Sequence, residues 1–296
     1  MESARKLTLA ELNSMDAAAF TAALGEVCEN ATWIVSAAAA RRPFASVDAL
    51  RAALRAAIRA APVERQTAFV AGHPDLAGKA ARAGDMTDDS VAEQAGAGLD
   101  SLTEAGYARF HALNDAYRRK FGFPFIVCVR RHSRDSILAT FERRLAQSAP
   151  VEFDTALGEI DRIVALRLDT RVEGVTGVHG RLSTHVLDTH LGQPAPGVAV
   201  ELRELSDSGA PRVVARMETN ADGRTDAPLI GGRPLPIGRY EVTFAIGAYF
   251  AARGLELPEP PFLDVVPLRF GVAEAEGHYH VPLLATPWSY ATYRGS

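Results

Sequence analysis

The sequence predicts a chain of two fold classes, an N-terminal all-α helical domain followed by an all-β sandwich or barrel. Three observations carry that expectation. Apolar residues recur at helical spacing as far as about residue 170 and alternate with period 2 from about Val172 onward. A length of 296 residues suits two domains better than one. Turn signals such as Asp222-Gly223, Gly231-Gly232 and Ile237-Gly238 separate the alternating runs.

The helical elements follow in order. Thr8 with Glu11 is a capping-box pattern opening the first helix. Ser46 can cap another, with an apolar face of Val47, Leu50, Leu54 and Ile58 that Pro62 stops. Asp88, Asp89 and Ser90 open a further stretch, continued at helical spacing by Leu99, Leu102, Phe110, Leu113 and Tyr117. Gly122 interrupts it, and Phe123–Val129 is too apolar and too short for an amphipathic helix. The helical period returns with Ile137, Phe141 and Leu145, then with Leu157, Ile160, Val164 and Leu168. A helical domain over 1–171, a short connector over 172–177 and a β domain over 178–296 follow. In the last, Val198, Val200 and Leu202 alternate with Ala199, Glu201 and Arg203. Tyr240, Val242, Phe244 and Ile246 alternate with Glu241, Thr243 and Ala245.

Composition excludes several classes. With 47% hydrophobic residues, 23% charged and a net charge of −4, the chain is an ordinary globular one without a broad electrostatic grip on nucleic acid. No apolar run approaches the roughly 18–20 residues of a membrane span, and the opening MESARKLTLAEL has no signal-peptide core. Two cysteines, Cys28 and Cys128, are no disulfide framework and point to a reducing, cytoplasmic setting. The familiar hydrolase, zincin, Walker and Rossmann signatures are missing, so any chemistry rests on scattered polar residues.

Those residues have bland readings. His185 lies in an early strand, and His278 and His280 flank Tyr279 so that both share one strand face. They read as surface or satisfied sheet histidines, or as a shared metal site. Arg224 in TNADGR reads as a turn-flanking cation, and Tyr293-Arg-Gly-Ser296 as a frayed tail. His73 precedes Pro74, Ser90 with Glu93 reads as a second capping pair, and Arg167 sits on a helix whose apolar stripe explains its neighbours.

Jointly the motifs say more. LSTHVLDTHLGQPAPGV, TNADGR and HYHVPLLATPWSYATYRGS resemble the 5-hydroxyisourate hydrolase family, a transthyretin-like group, over residues 178–296. Transthyretin shares that sandwich but lacks this histidine and arginine set, which disfavours a hormone carrier. The resemblance implies His185, Arg224, His280 and Ser296 as catalytic residues, with Tyr293, Arg294 and Gly295 binding substrate. Water activation would fall to His185 and His280, the base being open between them, and orientation to Arg224 and Arg294. His278 lies one strand repeat outside that set, and Thr286 and Ala291 stand where serine is common.

HPDLAGK, SVAEQAGAGLDSL, NDAYRRKFGFPFI and ALRL resemble the OHCU decarboxylase family over about residues 7–170. OHCU is 2-oxo-4-hydroxy-4-carboxy-5-ureidoimidazoline. This resemblance implies His73 and Glu93 as an acid/base pair, Glu93 orienting the imidazole, and Arg167 as a clamp on a polar substrate edge. Pro74, Ser90, Gln94, Phe125 and Ile126 would complete the pocket. No metal or other cofactor is expected, because the carboxylate adjoins a C=N bond that can accept its electrons. The two resemblances imply conversion of 5-hydroxyisourate through OHCU to (S)-allantoin. They also imply a homo-oligomer, tetrameric through the β domain with dimer contacts through the helical one. The rivals are a transthyretin-like binding or scaffold protein, and an active hydrolase whose helical half serves only oligomerisation.

Overall fold

Helices start where local hydrogen bonding favours them. In the computed structural model, which describes residues 5–77, 88–96, 99, 102–207 and 210–295, α1 (Leu9–Ser14) opens on a reciprocal cap. The Thr8 hydroxyl accepts from Glu11 N at 3.2 Å, and the Glu11 carboxylate accepts from Thr8 N at 2.7 Å. Helices α2 (Ala17–Leu24) and α3 (Thr32–Ala39) follow. Ser46 caps α4 (Val47–Ala60), and all four residues of its expected apolar face are buried. Pro62 both ends that run and precedes α5 (Val63–Ala71).

Next come α6 (Asp88–Gly96), α7 (Glu104–Phe121), α8 (Arg134–Leu145) and α9 (Ala149–Arg171). Two expectations are corrected here. Leu99 and Leu102 keep the spacing but precede α7, because Thr103 starts a new helix by accepting from Gly106 N. Ser90 lies inside α6 and is not its cap, so the capping-pair reading with Glu93 fails. Leu12, Phe20, Ile34, Leu54, Val70, Phe110, Phe141 and Leu168 bring most of these helices into one apolar cluster. Through it runs Phe123–Cys128, neither helix nor strand, with Phe125 stacked on Phe141 at 3.9 Å.

The second unit is a two-sheet sandwich. Its strands are β1 (Gly180–Asp188), β2 (Gln193–Pro194), β3 (Ala199–Leu205), β4 (Arg212–Glu218) and β5 (Ile230–Arg233). Then come β6 (Gly238–Ala245), a short helix α10 (Ile246–Ala252), β7 (Val265–Val272), β8 (His278–Ala285) and β9 (Tyr290–Thr292). One sheet has the order β2-β1-β8-β9, with β5 also on β1, and the other the order β4-β3-β6-β7. The alternating residues Val200, Leu202, Tyr240, Val242 and Phe244 point between the sheets; Ile246 is buried with them but opens α10 instead of extending β6.

Strands β1 and β8 are parallel, with Ser183 opposite His280 and His185 opposite Pro282. This register puts Arg181, Ser183 and His185 on the same sheet face as His278 and His280. Leu182, Val186, Tyr279, Val281 and Leu283 take the core face.

Contacts divide the chain into Met1–Arg130 with Ile137–Val178, and Arg131–Ser136 with His179–Ser296. Hydrophobic period has no signal for the excursion of residues 131–136. They belong to the β unit through backbone bonds, Ile237 N to Arg131 O at 2.8 Å and Ser133 N to Ile237 O at 2.9 Å. Among the described residues no helix is long and apolar enough to cross a membrane.

Candidate active sites

In the helical unit, polar side chains from distant elements meet at one cavity. Glu29, His73, Pro74, Ser90, Glu93, Gln94, Phe125, Ile126 and Arg167 line it, around an empty volume of about 420 Å³ that includes its mouth. His73 follows the end of α5, and its Nδ1 donates to the Phe69 carbonyl one turn earlier at 2.9 Å. That bond leaves Nε2 as the acceptor nitrogen of a neutral ring. Burial pushes the imidazole below its ordinary pKa, aided by the Arg167 charge and opposed by Glu29 and the Phe69 bond.

Arg167, on α9, organises the carboxylates. It forks onto Glu93, with Nε to Oε1 at 3.1 Å and Nη2 to Oε2 at 3.0 Å. Its Nη1 donates to Glu29 at 2.8 Å and its Nη2 to the Ser90 hydroxyl at 3.1 Å. Ser90 in turn donates to Glu29 at 3.0 Å. Two expected roles are thereby corrected. The Phe69 carbonyl, not Glu93, orients His73, and Arg167 is engaged by Glu93, Glu29, Ser90 and the Glu26 carbonyl instead of standing free as a substrate clamp. Glu29 was not foreseen from the sequence. It is a lone acid in the apolar run VCENATWIV, and nothing local pairs it with an arginine 138 positions away. Gln94 accepts from Ala77 N at 3.0 Å, and Asn114 donates to Leu76 O at 2.9 Å, which fixes the turn after Pro74.

In the β unit, strand pairing assembles the site. His185 and Arg224 form an antiparallel bridge, and so do His280 and Gly295. Gly223, at φ 70°, lets the Asn220–Arg224 turn approach β1: an added Cβ would lie 2.3 Å from Val186 O. Gly295 gives N–H to His280 O at 2.9 Å, and a Cβ there would lie 2.7 Å from the His280 ring. The Ser183 hydroxyl sits 3.0 Å from His280 Nδ1 and 3.5 Å from His278 Nε2.

The Nε2 of His185 is buried without a hydrogen-bond partner among the described residues. Both histidines are held below the ordinary imidazole pKa. For His185 the causes are burial and then Arg224; for His280 they are burial, Arg224, His185, His278 and Arg181. The arrangement is a half-buried pair of neutral imidazoles on a cationic face, suited to proton transfer beside an anionic or carbonyl-rich ligand.

Comparison with known proteins follows the same division. The OHCU decarboxylase family profile matches residues 13–169, over half of the chain, and the HIUase/Transthyretin family profile matches residues 182–295. The chain belongs to both families. A 2-oxo-4-hydroxy-4-carboxy-5-ureidoimidazoline decarboxylase of Haloferax volcanii is 43% identical over 166 residues, 56% of this chain and 96% of that protein. A 5-hydroxyisourate hydrolase of Deinococcus radiodurans is 56% identical over 119 residues, 40% of this chain and 98% of the other. The crystal structure of an (S)-allantoin synthase is 34% identical, with TM-score 0.51, and covers 98% of this chain and 100% of its own.

Within the HIUase/transthyretin domain the tail divides. Gly295 joins the histidine face, whereas the Arg294 guanidinium lies 4.6 Å over the Tyr279 ring and hydrogen-bonds nothing among the described residues. Its expected orienting role has no geometric support, because Tyr279 faces the core side of β8. Tyr293 is exposed, and Ser296 lies outside the described residues. His278, left out of the expected set, shares the face of His280 and touches Ser183. In the OHCU decarboxylase domain every expected pocket residue lines the one cavity.

Proposed function

We propose that the chain runs two consecutive steps of urate breakdown, hydrolysis of 5-hydroxyisourate on the β-sandwich and decarboxylation of OHCU to (S)-allantoin in the helical unit. The observation that carries this reading is that every decarboxylase motif residue named above lines one cavity, while strand pairing brings Arg224 to His185 and Gly295 to His280 in the sandwich. In the β unit, His185 and His280 are neutral near pH 7 because burial and neighbouring cations hold them there. One takes a proton from water as it attacks the ring carbonyl, and Arg224 stabilises the oxyanion that forms. His185 Nε2, which has no hydrogen-bond partner among the described residues, is the nitrogen we assign to that transfer.

In the helical unit the bond from the ring to the carboxylate breaks, and its electron pair moves into the adjoining C=N. A proton then adds to one face of the resulting carbanion. His73 Nε2 handles that proton, its tautomer set by Phe69, while Glu93 is held by Arg167 and supplies an acceptor at the cavity wall.

A homo-oligomer, tetrameric through the sandwich with dimer contacts through the helices, and a cytoplasmic setting belong to the same proposal. The test is to add purified protein to freshly generated 5-hydroxyisourate and follow both its loss and optical activity. Catalysed loss with a single enantiomer of allantoin is expected; racemic allantoin at the spontaneous rate overturns the bifunctional reading.

A further inference from the structure

We propose that Arg144, Glu152 and Glu159 are positioning residues for decarboxylation, holding the irregular wall of the helical cavity by its backbone. The inference rests on the OHCU decarboxylase reading above. Helix α9 carries Glu152, Glu159, Ile163 and Arg167 at spacings of seven, four and four, which place them along one helical face. Ile163 and Arg167 line the cavity. Of the two carboxylates on that same face, Glu159 reaches the segment Phe123–Cys128 directly and Glu152 does so through Arg144; the segment supplies Phe125, Ile126 and Val127 to the cavity.

Two of the contacts are to main-chain atoms. Glu159 Oε2 accepts from Cys128 N at 2.9 Å. Arg144 Nη1 donates to Ile126 O at 2.7 Å, and its guanidinium lies 4.6 Å over the Phe125 ring. Glu152 Oε1 accepts from Arg144 Nε at 2.8 Å and from the Tyr117 hydroxyl. A buried stretch outside helix and sheet has no ladder to satisfy its backbone, so side chains must do so. Here the ones that do are enclosed, Arg144 1% and Glu159 6% exposed, and Arg144 is ion-paired to Glu152, which is fully buried.

Stability alone does not account for this pair. A buried ion pair is often matched or exceeded by apolar side chains of similar volume. Glu152 Oε2 is moreover buried with no hydrogen-bond partner among the described residues, which costs stability. What an apolar replacement cannot do is fix Ile126 O relative to α9, and therefore relative to Arg167.

The test is the double variant Arg144→Met/Glu152→Leu in the full chain. It should fold with a somewhat lowered melting temperature, because Ile126 O and the Tyr117 hydroxyl lose their partners, and hydrolyse 5-hydroxyisourate at the parent rate. Decarboxylation should lose roughly 10–100-fold in kcat/KM, the scale of an ångström misplacement, and with enzyme in excess the allantoin should lose enantiomeric purity. Should the double variant fail to fold, Arg144→Lys keeps the charge opposite Glu152 but cannot also reach Ile126 O. It should lose activity in the same direction, whereas Glu159→Gln, which keeps an acceptor for Cys128 N, should retain most of it. Parental decarboxylation by either folded Arg144 variant overturns the inference. An unmodified chain that does not decarboxylate OHCU overturns instead the reading on which it rests.

Discussion

His73 takes its orientation from a carbonyl one turn earlier in its own chain, whereas His280 takes its from Ser183 on a neighbouring parallel strand. Around His73 the fixed groups are carboxylates gathered by one arginine; around His280 they are arginines and further histidines. Both rings are held neutral, mainly by burial. The difference shows two ways of assembling a site. The helical one depends on side chains far apart in sequence meeting in a packed interior. The β one depends on register, because a one-residue slip of β8 against β1 would turn its histidines into the core.

The largest expected effect separates the two sites outright. His73→Ala should lower decarboxylation by about 10²–10⁴-fold, the usual worth of a positioned acid or base, and leave hydrolysis unchanged. Stopped-flow assay of each step would show it, and equal loss of both in a folded variant would break the division. Next is Gly295→Ala. Its methyl would collide with the His280 ring, so hydrolysis should fall roughly 10–100-fold while decarboxylation holds. A parental hydrolase rate in that variant would remove the tail from the site.

Glu29→Gln should be milder. Arg167 and Ser90 keep a polar partner but lose a charged one, worth about 1.5–3 kcal/mol as a charge-assisted bond. A lower melting temperature and an approximately 10-fold slower decarboxylation are expected; an unaltered Arg167 site, judged by both measures, would make Glu29 incidental.

The smallest effect is on pH. Because the pKa values of His185 and His280 lie below the ordinary 6.5, the hydrolase rate should fall only at pH values beneath that, as the base is protonated. Arg224 is a cause in both cases, so Arg224→Gln should raise both pKa values and move the acid limb upward, toward 6.5. An acid limb that stays put or moves down, in kcat/KM against pH, would remove Arg224 from the electrostatics of the pair.

Much of the architecture was legible beforehand, and the reason differs by element. The caps at Thr8 and Ser46 and the face Val47, Leu50, Leu54 and Ile58 follow from contacts three and four residues apart. The strand face of His278 and His280 follows from alternation alone. Ser90 misled as a cap because its hydroxyl bonds across the fold to Glu29 and Arg167. Leu99 and Leu102 misled because apolar spacing does not register a helix restarting at Thr103.

By itself, then, the sequence determined the helical and strand periods, their change near Val172, and the motif residues of both families. Only the tertiary structure decided which groups those residues touch. Phe69 and not Glu93 orients His73, Arg294 stacks on Tyr279, and Glu29 and Glu152 enter the helical interior. Local periodicity reports interactions within a turn or a pleat, whereas a buried charge is paired by whatever packing brings to it. For Arg167 that partner is 138 residues away.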